Sequence, residues 1–205
     1  MGGDAAAPAS SGDSARLVDY ELLICVCGGI AAYKTAEVVS ALVQEGCGVS
    51  VAMTRNATRF VGEITFQALS GRTVFGAPWK TGTQADIAHL KLSQTADLIL
   101  VAPATANMLG KLANGIADDG VSSLLIGADC PVVLAPAMNA RMWKHPAVVR
   151  NATFLREAGF VLVGPGAGWL ACREIGPGRM SEPEELIAAV REQLLSRAPK
   201  RRGER

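Results

Sequence analysis

Aromatic residues are scarce: Phe, Trp and Tyr together fill 5% of the 205 positions. The core must therefore be aliphatic, and the 49% hydrophobic content is carried largely by Ala, Val, Ile and Leu. With 22 glycines beside it, that mixture suits buried parallel strands under close-packed helices better than a β-sandwich. No apolar run approaches the roughly 20 residues that cross a bilayer. Charge of either sign is also in short supply: the net value is +1, which argues against a broad nucleic-acid surface. Only two histidines occur, His89 and His145, neither at ligand spacing from a thiol, so no metal site is expected. Five cysteines, an odd number with no secretory signal, read as reduced thiols rather than a disulfide framework. Cys25 and Cys27 alternate along one face of an apolar strand as small core residues. Cys130, beside Pro131, reads the same way, and Cys47 lies in a turn.

The first 16 residues lack the basic start and apolar centre of a signal peptide and read as a disordered tail. A cytoplasmic location is expected, where the sequons at Asn56 and Asn151 carry no glycan. Basic residues gather in Arg197-Ala198-Pro199-Lys200-Arg201-Arg202. A solvated tail is the plain reading, with RNA or membrane contact as the alternative.

Between the tails, strand and helix patterns alternate. Strands are expected at Glu21 to Cys27, Val49 to Met53, Leu98 to Ala102, Val132 to Ala135 and Phe160 to Val163. Helices are expected from Ile30 to Glu45, Phe60 to Leu69, Thr105 (as cap) to Ala113, after Asp118-Asp119 to Leu125, and from Ser181 to Leu195. The last opens on Ser181-Glu182-Pro183-Glu184, read as a capping box. The stretch from Arg72 to Ala85 reads as loop. Such alternation implies one doubly wound parallel α/β sheet, Rossmann- or flavodoxin-like, over residues 17–196. Tails at 1–16 and 197–205 flank it.

Gly28-Gly29 falls between the first strand and its helix, where free backbone N–H groups attract phosphate. A merely tight turn is the alternative. The dinucleotide fingerprint G-x-G-x-x-G is absent from Gly28-Gly29-Ile30-Ala31-Ala32. The second strand ends Met53-Thr54-Arg55, without the acid that would hold NAD ribose. A mononucleotide such as FMN suits these residues better. Farther on, Pro136-Ala137-Met138-Asn139 puts an amide where a buried strand ends. Gly168-Trp169-Leu170-Ala171-Cys172 and Gly176-Pro177-Gly178-Arg179-Met180 put one thiol in a Gly-rich segment able to fold over it. Arg179 suits a phosphate or a carboxylate, or plain solvent. Trp143 and His145 read as packing and structural residues.

These segments, in this order, resemble the flavin-dependent cysteine decarboxylases over roughly Glu21 to Met180. Gly28 to Lys34 and Ala102-Pro103-Ala104-Thr105-Ala106-Asn107 look like that family's two FMN-contacting segments. The resemblance thus implies cofactor contacts from Gly28, Gly29, Ile30, Thr54, Ala102, Pro103, Ala104, Thr105 and Asn107. It implies FMN-dependent decarboxylation of 4'-phosphopantothenoylcysteine to 4'-phosphopantetheine in coenzyme A biosynthesis. In that family the thiol carbon is oxidised to a thioaldehyde, CO2 leaves, and the enethiol is reduced again. His89 would take the thiol proton. Asn139 would donate to the substrate carboxylate without adding charge. Cys172 would return a proton from its thiol. Met138, Ala171, Arg179 and Met180 would complete the substrate site. A structural His89 and a turn-stabilising Asn139 are the alternatives.

The resemblance also implies a homotrimer with flavin between subunits, possibly four trimers in a dodecamer. A phosphopantothenoylcysteine synthetase, separate or fused, is the expected partner, since 205 residues leave no room for one. One departure stands out: Arg173 follows the clamp cysteine, where a glycine is expected. Competing readings are a peptidyl-cysteine decarboxylase, a non-catalytic flavin-binding regulatory subunit, and a flavin prenyltransferase. The short tails count against the second, and Cys172 counts against the third.

Overall fold

The computed structural model describes residues 17–76 and 92–200. Strand β1 (Glu21–Val26) leads to α1 (Ala32–Gln44), β2 (Gly48–Met53), a 3-10 turn (Ala57–Arg59) and α2 (Glu63–Ser70). Then come β3 (Leu98–Ala104), α3 (Ala106–Ala113), α4 (Gly120–Ile126), β4 (Val132–Pro136), α5 (Ala140–Trp143) and α6 (Pro146–Glu157). The chain continues through β5 (Val161–Leu162), β6 (Gly166–Trp169), β7 (Ile175–Arg179) and α7 (Pro183–Leu195). Five strands form one all-parallel sheet in the order β2-β1-β3-β4-β5. This is the doubly wound, flavodoxin-like order.

Unbroken apolar runs become central strands because both faces are covered. In β1, Leu22, Ile24 and Val26 point into one core with Val38, Leu42, Phe66, Leu186 and Val190. Leu23 and Cys25, with Cys27 just after them, point into the other, with Met108, Leu109, Leu124 and Leu155. Helices α1, α2 and α7 thus cover one face, and α3, α4 and α6 the other. Cys130 and Trp143 pack partly buried against the second core, and Cys47 is buried in the first.

Several boundaries differ from expectation for local reasons. Helix α1 starts at Ala32, two residues late, after the turn that Gly28 to Ala31 makes. The helix expected from Phe60 starts only at Glu63, because Gly62 is extended as its cap, and a 3-10 turn ends just before it at Arg59. Helix α7 is capped by Glu182 rather than Ser181, since Pro183, with its fixed φ, takes the first helical position. The Glu182 N–H donates to Glu185 Oε2 at 2.9 Å, so the box exists one residue later. Helix α6 was not foreseen; His145 caps it, with Nδ1 accepting from Ala147 N at 3.2 Å. The β6–β7 hairpin, a separate antiparallel pair, was not foreseen either.

The segment expected as a solvated tail is anchored as far as Lys200. Tyr20 Oη donates to the Arg197 carbonyl at 2.7 Å. Lys200 N donates to Asp97 Oδ1 at 2.6 Å, and its Nζ reaches Asp129 Oδ1 at 2.6 Å. These contacts tie the chain to the N-terminal ends of β1 and β3. Among the described residues, no helix is long and apolar enough to cross a membrane.

Candidate active site

Strand order reverses between β1 and β3, and the connections there leave a crevice beyond the strands' C-terminal ends. In this protein it is a cleft of about 900 Å³. Gly28, Gly29 and Ile30 follow β1, Thr54 to Asn56 follow β2, and Thr105 to Lys111 follow β3. Met138 and Asn139 follow β4, and the hairpin adds Trp169 to Cys172 and Gly178 to Met180.

The β1 end is built for an anion. Helix α1 has no side-chain cap and no acid in its first turn. Among the described residues, the N–H groups of Gly29, Ile30 and Ala31 have no acceptor. Free amides and the helix dipole together favour a phosphate there. Gly28 serves a different purpose: a Cβ on it would overlap Asn56, so glycine lets the β2 loop, with Arg55, close against the cradle. Thr54 Oγ1 accepts from Ala57 N at 3.3 Å and holds that loop's turn.

Thr105 caps α3 through Met108 N at 3.3 Å, placing Asn107, Met108 and Lys111 along the cleft. The Cys27 thiol below it is pushed up to about 12 by burial, with hydrogen bonding to Thr105 opposing in part. It stays neutral as an apolar floor. Lys111 lies between Asp118, at 2.5 Å, and Asp119. Burial pushes the Asp119 carboxyl up, yet Lys111 and Ser122 outweigh it and hold it below the usual range. This trio was missed in the sequence. The available signal was the i, i+4 spacing of Asn107 and Lys111 before two adjacent acids.

Asn139 caps α5, its Oδ1 accepting from Met142 N at 2.8 Å. That bond fixes which side of the amide is oxygen and leaves Nδ2 as a donor without a protein partner among the described residues. Turn stabilisation and ligand binding are therefore compatible roles for one side chain. The hairpin is stitched to this loop. Met138 N donates to the Gly178 carbonyl at 2.9 Å, and Gly178 has φ +119°, where a Cβ would collide with the Met138 carbonyl. Cys172 is exposed between the hairpin strands, its Sγ 3.9 Å from Glu174 Oε2. Arg173 adopts φ +65°, the left-handed conformation for which a glycine was expected.

Of the sequence-derived set, Gly28, Gly29, Ile30, Thr54, Thr105, Asn107, Met138, Asn139, Ala171, Cys172, Arg179 and Met180 line one cleft. Ala102, Pro103 and Ala104 do not. They are buried within β3, where the Ala102 carbonyl accepts from Thr35 Oγ1 and the Ala104 carbonyl from Ala137 N. They shape the strand end behind Thr105. His89 lies outside the described residues. Among those residues, no group of three or more His, Cys, Asp or Glu could hold a metal ion.

Residues 10–195 match the family model described as Flavoprotein. The chain is 49% identical over 171 residues to the coenzyme A biosynthesis bifunctional protein CoaBC of Bacillus subtilis, covering 83% of this chain and 42% of that protein. It is 44% identical over 180 residues to the protein of the same name from Mycolicibacterium smegmatis, covering 86% and 42%. It thus spans well under half the length of these curated relatives. Among solved structures, the FMN-dependent cysteine decarboxylase SpaF is 34% identical with TM-score 0.75, covering 88% of this chain and 98% of that one. A cysteine-to-serine mutant of PPC decarboxylase, complexed with pantothenoylaminoethenethiol, is 27% identical with TM-score 0.74, covering 84% and 97%.

Proposed function

The chain is a member of the Flavoprotein family, and on that premise we propose that it decarboxylates 4'-phosphopantothenoylcysteine to 4'-phosphopantetheine using FMN. The observation that carries this is the single cleft in which a free-amide cradle faces a donor amide and a thiol. The names of the curated relatives and the ligand of the PPC decarboxylase mutant point to the same substrate class.

The residues fit FMN. The unsatisfied N–H groups of Gly29, Ile30 and Ala31 would take its phosphate, and Thr105 and Asn107 offer polar edges beside it. Bound FMN supplies reversible removal of an electron pair from the substrate's thiol-bearing carbon, so the protein has to bind, orient and move protons. Asn139 Nδ2 would donate to the substrate carboxylate. Being neutral, it orients that group without a charge that would hold it back from leaving as CO2. Its aim is fixed by the Met142 bond. Cys172 would return a proton, carried to the cleft by a hairpin that Gly178 docks on Met138. His89 is proposed as the base for the substrate thiol.

A homotrimer, alone or as four in a dodecamer, belongs to the same reading. Supporting it, Ile30 and Tyr33 line the cleft wall yet are 60% and 61% exposed, apolar surface that a second copy would cover. Phosphopantothenoylcysteine synthetase is the proposed partner, and the cytoplasm the proposed location.

The test is an absorbance spectrum of the purified chain, then mass analysis after adding phosphopantothenoylcysteine. Flavin absorbance with loss of the CO2 mass is expected. In Cys172→Ser the product should accumulate two hydrogens short; a normal product would remove Cys172 from the mechanism. His89→Asn should retain flavin and lose turnover. Flavin without turnover would favour a peptide substrate or a regulatory role. No flavin after reconstitution would overturn the proposal.

A further inference from the structure

Among the described residues, four cations line the cleft: Lys34, Arg55, Lys111 and Arg179. Their surroundings differ. Lys111 is held by two carboxylates and has no charge to spare. Arg55 adjoins Asn56, which packs on Gly28, so it stands at the amide cradle of α1. Lys34 is only 11% exposed, and its Nζ lies 2.7 Å from Glu182 Oε2. Arg179 binds the other oxygen of that carboxylate, Nη2 to Oε1 at 2.5 Å, in a pair 42% and 44% exposed.

Resting on the decarboxylase reading above, we propose that Arg179 recognises the substrate's terminal phosphate, and that Glu182 holds it in reserve until the substrate arrives. Three features carry this. The proposed chemistry brings two phosphates to one cleft, that of FMN and that of the substrate. Among the described residues, the amide cradle and Arg55 provide for one of them, at the β1 end. Arg179 is rooted on β7 of the hairpin, and its side chain runs along Gly168 to Glu182 and so toward Lys34 of α1, leaving Asn139 to the carboxylate at the substrate's other end.

The second feature is the ease of release. An exposed ion pair contributes little, whereas a guanidinium fork on a phosphate dianion makes two charge-assisted bonds. Leaving Glu182 strands no charge, because Lys34 stays on the same carboxylate. The Lys34–Glu182–Arg179 group carries a net +1, and the pairing with Lys34 and Arg179 already keeps the Glu182 carboxyl below its usual range. Glu182 is thus a fixed anion between one permanent and one exchangeable cation.

The third feature is aim. The Arg179 stem lies across Gly168 in the facing strand, where an added Cβ would sit 3.1 Å from both Cδ and Nη1. The glycine gives the arginine a track along the hairpin.

The experiment uses the flavin-loaded, assembled protein and titrates 4'-phosphopantetheine against pantetheine by calorimetry, alongside kcat/KM for the corresponding cysteine substrates. Wild type should prefer the phosphorylated member of each pair. In Arg179→Gln both preferences should fall by about 10- to 100-fold, the range for charged hydrogen bonds. Arg179→Lys should recover part of them, since it restores charge without the fork. Glu182→Gln, scored only on preparations that retain full flavin, should tighten phosphopantetheine binding severalfold. A preference that survives in Arg179→Gln to within twofold of wild type would overturn the proposal, as would equal losses for phosphorylated and unphosphorylated ligands. Failure of wild type to decarboxylate either substrate would instead sink the underlying decarboxylase reading.

Discussion

The sheet and the β6–β7 hairpin meet at one cleft, but different forces hold them. Every residue of β3 is buried, and its neighbours carry apolar side chains into cores on both faces. The hairpin leaves Trp169 61% and Ile175 80% exposed; beyond the buried Leu170 and Met180 at its ends, its docking depends on a backbone bond to Met138, on Gly178 and on an exposed ion pair. Burial of apolar area fixes the first region with little tolerance. Two buried apolar side chains and a few polar contacts, each polar contact worth about 0.5–1.5 kcal/mol, position the second and leave it less tightly held. The anion cradle and Asn139 sit on the rigid part, while Cys172 and Arg179 sit on the adjustable one.

The sharpest way to break this contrast is to truncate one side chain in each region. Leu100→Ala should cost about 2–5 kcal/mol by urea unfolding, because it empties a fully buried site. Ile175→Ala should stay within about 0.5 kcal/mol of the parent. Comparable losses would mean that the hairpin is part of the cooperative core.

Gly178→Ala should separate activity from stability. A methyl cannot coexist with φ +119° and the nearby Met138 carbonyl, so the hairpin must undock. We expect turnover to fall about tenfold or more, with a strained backbone costing of order 1–3 kcal/mol locally. Unchanged turnover would show that docking on Met138 is dispensable.

Alkaline pH distinguishes the regions in another way. Burial holds the Cys27 and Cys47 thiols up to about 12 and raises Cys25 well above its ordinary value. Unfolded thiols ionise near about 8.5. Between those values the folded chain keeps protons that the unfolded chain has lost, so stability falls as pH rises, by up to about 1.4 kcal/mol per pH unit for each thiol. Replacing Cys25 and Cys27 by alanine should flatten the urea-midpoint profile above pH 9, and an unaltered slope would reject this origin. At pH 8, iodoacetamide should label exposed Cys172 before any sheet thiol.

The smallest effect is expected at Arg173. Arg173→Gly removes a left-handed cost of about 1 kcal/mol, partly offset by a freer unfolded chain. The melting temperature should match or slightly exceed the parent's. A drop of several degrees would show that the side chain, rather than the backbone, holds the turn.

The alternation of apolar runs with helical spacing made all five sheet strands legible in the sequence, because a parallel strand buried on both faces cannot be polar. Gly28-Gly29, Asn139 and Cys172 were legible as site candidates, since each stands where a strand or glycine-rich turn ends, whereas Thr105 read as a helix cap and joined the site only through the resemblance. Helix α6 was not, as its exposed face carries Val149 and Phe154 and blurs the period. The hairpin escaped because glycines and prolines, rather than alternating side chains, make it. The Lys34–Glu182–Arg179 group was illegible for a plainer reason: its members lie up to 148 positions apart.

The sequence by itself thus determined the sheet, its two covered faces and the points where the chain turns toward a ligand, because burial and local backbone geometry follow residue type. Only the tertiary structure decided that, among the described residues, α1 keeps three free amides, that Asn139 both caps and has a donor to spare, and that the carboxylate beside Arg179 also serves the distant Lys34. Those outcomes depend on which groups the folded chain leaves without a partner, and no local pattern records that.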